Sequence, residues 1–218
     1  LSGDSCGTES VQILEPAKAN SQELNYEIQM TKSVIPDFSD IDFSKYPRLI
    51  DDTNPMHRLW SDGAWIKAYM AHGCYWHKCA FCDVTLDYVK SFCMTDIKLL
   101  YEGLLKQCKE KNIFRIHFVD EAMPPAAMIA FAKENIAHGS PLSWWGNIRF
   151  EKNFTRDIAD FLAYGGLVGV SAGLESATGN GLNAIHKGTD LESIVGACCA
   201  FKEAGVLVHA YMIFGYWF

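Results

Sequence analysis

Residues 113–148 read IFRIHFVDEAMPPAAMIAFAKENIAHGSPLSWWGNI, and this stretch sets the fold class. Phe114, Ile116 and Phe118 alternate with Arg115 and His117, the period of a half-buried strand. The alternation breaks at Asp120-Glu121. A run rich in Ala follows from Pro125 to Ala137 and reads as a helix, with Pro125 suited to its first turn. Leu142 to Ile148 is then apolar again and leads to Arg149. Strand, helix, strand at this spacing is a βα unit running into the next strand.

The same texture extends in both directions. Trp65 to Met70 is an earlier β-type run, and Leu167 to Ser171 and Val206 to Phe214 are later ones. Helical segments are expected at Thr95 to Lys111, with Thr95 and Asp96 as cap residues, at Thr155 to Tyr164, ended by Gly165-Gly166, and at Leu191 to Ala204, closed by Gly205. About five strands joined in order by helices predict an α/β fold of parallel strands with right-handed crossovers. The sequence leaves open whether the sheet closes into a barrel or stays open and doubly wound. In both cases ligands meet the carboxyl ends of the strands, so the cysteines described below, Asp120-Glu121, Arg149, Glu175 and Gly215 are expected to share one face.

Residues 1–60 differ in character. They are rich in Ser, Asp, Asn and Pro, with short apolar groups such as Val11 to Leu14, and read as a lead-in or linker before a core over residues 61–218. At 218 residues the chain suits one main domain. A formal charge of −7 gives no general electrostatic attraction to nucleic acid or an anionic membrane. The longest apolar runs, Ala122 to Ala132 and Val206 to Phe218, fall short of the ~20 residues a membrane span needs. No basic segment followed by an apolar one opens the chain at Leu1, so a soluble, cytoplasmic protein is expected. In a reducing compartment its eight cysteines read as thiols, and clustered thiols point to metal binding or catalysis.

Cys74, Cys79 and Cys82 form such a cluster, with the spacing C-x4-C-x2-C in Gly73-Cys74-Tyr75-Trp76-His77-Lys78-Cys79-Ala80-Phe81-Cys82. A short loop can wrap three thiolates onto one iron–sulfur cube and leave the fourth iron open to another donor. Lys78 would favour the thiolate forms. A structural zinc site is the alternative, with His72, His77 or Asp83 as fourth ligand, and a third reading makes all three buried thiols. Cys198-Cys199 are expected in a helix core, and Cys6, Cys93 and Cys108 have no metal-like spacing. His117 and His209 fall inside strand patterns, and Trp144-Trp145 either fill the core or line a pocket.

The cysteine segment resembles the radical S-adenosylmethionine superfamily, whose signature is C-x3-C-x-aromatic-C. Phe81 occupies the aromatic position, and this chain has one extra residue between its first two cysteines. Further similarities follow in order: Gly173-Leu174-Glu175-Ser176, His186-Lys187-Gly188-Thr189, Lys202 to His209, and Ile213-Phe214-Gly215. They are similar to the subgroup containing methylthiotransferases, Elongator-type enzymes and cobalamin-domain radical enzymes, over about Trp65 to Gly215.

The resemblance implies a partial (βα)6 TIM-like barrel, incomplete at its carboxyl end. It implies a [4Fe-4S] cluster on Cys74, Cys79 and Cys82, whose open iron takes the amino and carboxylate groups of S-adenosylmethionine. Reductive cleavage would give a 5'-deoxyadenosyl radical that abstracts hydrogen from an unknown substrate, with a flavodoxin or ferredoxin as reductant. Phe81, Asp120, Glu121, Arg149, Ser171 and Glu175 are then the cofactor-binding residues. Asp120-Glu121 stand where the family binds the amino group. Arg149 would pair with the methionine carboxylate, and Ser171 and Glu175 would contact ribose or the amino acid moiety. Position 218 is Phe where the fifth-strand motif has Glu, and Tyr216-Trp217-Phe218 lacks the usual proline. The resemblance admits a cobalamin domain, but no segment here reads as one. A non-catalytic zinc or iron–sulfur module of similar fold is the alternative.

Overall fold

In a computed structural model, which describes residues 32, 34–56, 64–86, 89 and 91–215, the expected strands are joined as parallel neighbours. The final Tyr216-Trp217-Phe218 and the group Val11 to Leu14 lie outside the described residues. The chain forms β1 (Ile66–Ala68), β2 (Ala71–His72), β3 (Cys93–Met94), α1 (Ile97–Lys111), β4 (Arg115–Phe118), α2 (Pro125–Ala137), β5 (Ser143–Ile148), α3 (Arg156–Tyr164), β6 (Leu167–Glu175), α4 (Gly179–Ala184), α5 (Leu191–Glu203) and β7 (Leu207–Met212). The main sheet runs β1-β4-β5-β6-β7, all parallel, and it is open, with β1 and β7 as its edges. The small antiparallel pair β2–β3, which flanks the cysteine loop, was not foreseen. Two residues per strand carry too little periodicity to read.

Local chemistry starts the helices where the sequence places them. Asp96 accepts the Leu99 amide at the head of α1 (3.1 Å), and Asp190 accepts the Ser193 amide at the head of α5 (2.7 Å). Left-handed Asn112 ends α1. The described part of the lead-in runs along α1: Phe38 N–H donates to Gln107 (2.6 Å), and Lys111 donates to the carbonyls of Ser39 (2.8 Å) and Ile41 (2.9 Å).

Strand alternation separates two faces. Ile66, Ile116, Phe118, Trp144 and Ile148 face the helices and are buried. Around them Phe131 packs edge-on against Phe118 (5.0 Å), Trp144 (5.4 Å) and Tyr101 (5.2 Å). Trp144 is therefore core. Trp145, its neighbour, points to the other face and stacks on His117 at 3.8 Å, while His117 accepts a hydrogen bond from Lys67. Register puts these three side by side across β1, β4 and β5, with Asn147 and Ser171 two residues further along β5 and β6.

A single buried polar side chain ties this core together. Asn135 donates to the carbonyls of Leu142 (2.8 Å) and Gly165 (2.9 Å) and accepts from the Leu142 amide and the Tyr101 hydroxyl (both 3.2 Å). The two chain ends it joins lead into β5 and β6. Asn135→Leu would bury these groups without their partner, and the expected cost is about 2–4 kcal/mol. Urea unfolding should show it as a lower midpoint with an unchanged slope.

Candidate functional site

At the carboxyl ends of β4, β5 and β6 the chain encloses a pocket of ≈ 320 Å³, and Cys74, Cys79 and Cys82 all line it. Their loop is held by its own backbone and by its neighbours. Cys74 N–H donates to Val89 (3.2 Å), Cys82 N–H to Cys79 (3.2 Å), and Ala80 N–H to Ile185 (2.9 Å). Cys79 is buried, Cys74 half-buried and Cys82 exposed. Enclosure of its sulfur raises the Cys82 thiol above its ordinary range, nearby Cys79 adds to the rise, and Lys187 opposes it. The three sulfurs thus influence one another. Among the described residues no three His, Cys, Asp or Glu side chains are gathered around a single ion position.

Phe81, Glu121, Arg149, Ser171 and Glu175 line this same pocket, so five of the six expected cofactor residues converge. Asp120 does not line it. Its side chain is turned toward the end of β1, where its carboxylate accepts from the amides of Met70 (3.0 and 3.1 Å) and Ala71 (2.7 Å), and it is 1% exposed. Both residues lie just past the end of β4, where the chain bends: the Asp120 side chain turns back to the Met70 and Ala71 amides while Glu121 is carried on to the pocket, so the two do not share a role. Gly215 also lies away from the pocket lining.

Arg149 reaches the pocket with two of its five donors engaged. Nε lies 3.2 Å from Glu151 Oε1, and one terminal nitrogen donates to the Lys187 carbonyl (2.7 Å). Tyr75 donates to the same Glu151 oxygen (2.9 Å), and burial with that carboxylate pushes its hydroxyl above the usual range. Arg149 therefore braces the cysteine loop, a use that its sequence position did not reveal.

Glu175 is the last residue of β6, which runs further than the expected Ser171. Its φ of 60° is left-handed, an unfavourable conformation for a residue with a side chain, and such strain clusters at functional sites. Lys187 Nζ donates to its Oε1 at 2.8 Å, and the two are 6% and 8% exposed. Gly173 makes room for the pair, because a Cβ there would fall 1.8 Å from the Glu175 oxygen. Lys187 also lies over the Phe81 ring, at 5.7 Å. Neither Lys187 nor Asn147, which donates to the Asp120 carbonyl (3.0 Å), was assigned a role from sequence. Lys187 stood inside a quoted motif, and Asn147 is the polar residue two positions before Arg149. Cys199 is exposed on α5, because the helix buries Ile194, Ala197, Ala200 and Phe201 instead.

No family model and no curated protein sequence matches this chain. Its structure is similar to the cobalamin-dependent S-adenosylmethionine radical enzyme OxsB with aqua-cobalamin bound (17% identity, TM-score 0.57, 67% of this chain and 23% of OxsB). With aqua-cobalamin and S-adenosylmethionine both bound, OxsB matches at 18% identity and TM-score 0.57, over 69% of this chain and 24% of OxsB. The fold is that of the radical S-adenosylmethionine enzymes. Methylornithine synthase (PylB) shares it at 12% identity and TM-score 0.50, over 69% of this chain and 44% of that one. The chain therefore spans about a quarter of OxsB and under half of PylB. Its radical S-adenosylmethionine fold contains the five-stranded part of the barrel, left open. Among the described residues no helix is long and apolar enough to cross a membrane.

Burial pushes the Asp120 carboxyl up to about 7 against the three amide hydrogen bonds that oppose the shift. An unfolded aspartate titrates near ~3.9, so between these values the folded chain holds a proton that the unfolded one has released. This contribution is complete below pH ~4 and is lost as pH rises through about 7. His117 acts with the opposite sign, since burial and Lys67 push it down to about 4. Comparison with Asp120→Asn isolates the carboxyl. The stability of wild type relative to this variant, from urea unfolding, should decline between about pH 4 and 7. A constant difference would show Asp120 ionised throughout.

Proposed function

We propose that this chain is the cluster-bearing core of a radical S-adenosylmethionine enzyme. The observation that carries the reading is the convergence of Cys74, Cys79 and Cys82 with the Glu175–Lys187 pair in one pocket, at the carboxyl edge of a sheet with that fold. The three cysteines would hold a [4Fe-4S] cluster. Once reduced by a flavodoxin or ferredoxin, the cluster supplies the electron that splits S-adenosylmethionine into methionine and a 5'-deoxyadenosyl radical, which takes hydrogen from a substrate.

The chain's own residues supply binding and enclosure. S-adenosylmethionine carries an ammonium and a carboxylate on one carbon. The buried Glu175–Lys187 pair offers a carboxylate and an ammonium side by side, so each end of the zwitterion has a complementary charge. Glu121 adds a second acceptor near the amino group, in the role read for Asp120-Glu121 together, and Ser171 offers a buried hydroxyl to ribose. Phe81 covers the pocket beside Lys187. OxsB binds cobalamin, whereas the reading here rests on the cluster and S-adenosylmethionine alone. The substrate's chemical class follows from none of these contacts, and a cytoplasmic, reducing environment suits the exposed Cys82 thiol.

Anaerobic reconstitution tests the cluster. Wild type should take up about four irons per chain, and alanine at Cys74, Cys79 or Cys82 should abolish stable uptake, because no other cysteine lines the pocket to replace the lost thiolate. Cys198→Ala and Cys199→Ala should leave iron unchanged. Full loading in all three loop variants would overturn the assignment, and zinc uptake in place of iron would favour a structural module. Reductive cleavage of S-adenosylmethionine to 5'-deoxyadenosine by the loaded protein tests the enzyme itself.

The cofactor pocket has a separate test. Glu175→Gln keeps the shape and removes the charge, so S-adenosylmethionine binding should weaken roughly 10- to 150-fold at unchanged iron content. A titration followed by the cluster's absorption would measure it. Unchanged affinity would leave Glu175 as the structural partner of Lys187 only.

A further inference from the structure

The extra residue between the first two cysteines is absorbed by a left-handed turn. His77 has φ 38°, and its ring Nδ1 lies 2.9 Å from the Cys74 carbonyl, to which it donates. Trp76, just before this turn, reaches across to the segment between α4 and α5. Its indole N–H donates to the His186 carbonyl at 3.0 Å. Its six-membered ring covers Gly188, where φ is 71° and where a Cβ would fall 1.8 Å from Cζ2. The Arg149 guanidinium lies 4.6 Å from the ring centroid and holds the Lys187 carbonyl at 2.7 Å. Trp76, Arg149 and the 186–188 backbone are thus packed as one unit, with Lys187 in the middle of the clamped segment.

We propose that Trp76 is a positioning residue that fastens the cysteine loop to the Lys187–Glu175 pair. The loop that would carry the cluster and the charge pair that would face the amino acid moiety belong to segments distant in sequence, and Trp76 and His186, which join them, are 110 residues apart. Among the described residues the direct links between them include the Ala80–Ile185 backbone bond (2.9 Å), the Lys187–Phe81 contact and the Trp76 seat. The backbone bond fixes one point. A rigid two-ring side chain with a directed N–H fixes an orientation as well. Gly188 is glycine because the ring occupies the space of any side chain and because its backbone is left-handed. The consequence for a cluster rests on the function proposed above, but the fastening exists in the metal-free chain and is tested there.

Hydrogen–deuterium exchange on the metal-free full chain gives that test. Trp76→Ala removes the ring, and Gly188→Ala drives a methyl into its seat, so the two variants attack one contact from opposite sides. Each should speed exchange roughly tenfold in peptides covering both 74–82 and 185–188, while α1, α2 and α3 keep wild-type protection. Trp76→Phe, which retains a ring and loses the N–H, should fall between wild type and Trp76→Ala. Unchanged exchange in either segment would overturn the proposal, as would an equal acceleration along the whole chain, the mark of general destabilisation. In reconstituted protein, Trp76→Ala should start with full iron and lose it to a chelator several times faster than wild type, in keeping with local opening of the loop. If the exchange result holds and wild type takes up no iron, the cluster reading fails and the fastening stands.

Discussion

Parallel pairing of successive strands makes every strand of the main sheet finish on the same edge, and each feature of the site depends on that constraint. The helices that return the chain cover one face and form the core with Ile116, Phe118, Trp144 and Phe131. Backbone hydrogen bonds therefore fix the level at which β4, β5 and β6 release their next residues. Glu121, Arg149 and Glu175 leave the sheet at neighbouring points although 54 residues separate the first from the last.

The cysteine loop has little regular structure of its own, so its position comes from what it touches. Asp120 is the first anchor. Its buried carboxylate takes the amides of Met70 and Ala71, where the chain leaves β1 for the loop, and the short β2–β3 ribbon continues the restraint. Tyr75, through Glu151 and Arg149, is the second anchor, and Trp76 on Gly188 is the third. Three attachments, the second and third meeting at Arg149, hold the cysteine loop against the rest of the fold.

Charge is handled differently at the pocket floor. A buried ion pair is costly to desolvate and is weak support for stability, so its persistence points to use. The Glu175–Lys187 pair sits beside a strained backbone at Glu175 and a glycine that exists to make room for it. Local stability has been given up on three counts in one place, a pattern that marks sites where a ligand is met.

Strand and helix order was legible because alternation and caps are local signals: Ile116 and Phe118 alternate with Arg115 and His117 as a strand with one buried face, and Asp96 and Asp190 cap where they stand. The cysteine spacing marked a candidate loop, and Glu121 and Glu175, read near strand ends, line one pocket with it, whereas Ser171, expected at a strand end, sits within β6. What the sequence could not show was direction and partnership. Asp120 and Glu121 are adjacent letters, yet one is sealed under β1 and the other lines the pocket. Arg149 was read as a carboxylate ligand, and the fold engages two of its donors with Glu151 and the Lys187 carbonyl while leaving it in the pocket lining. The short β2–β3 ribbon, the open sheet and the Trp76–Gly188 seat likewise depend on contacts between segments distant in sequence. The sequence by itself determined which elements form and which chemical groups stand at their ends. Only the tertiary structure decided which of those groups meet, because meeting is set by strand register and by the face each side chain leaves from, and neither is a property of a residue and its near neighbours.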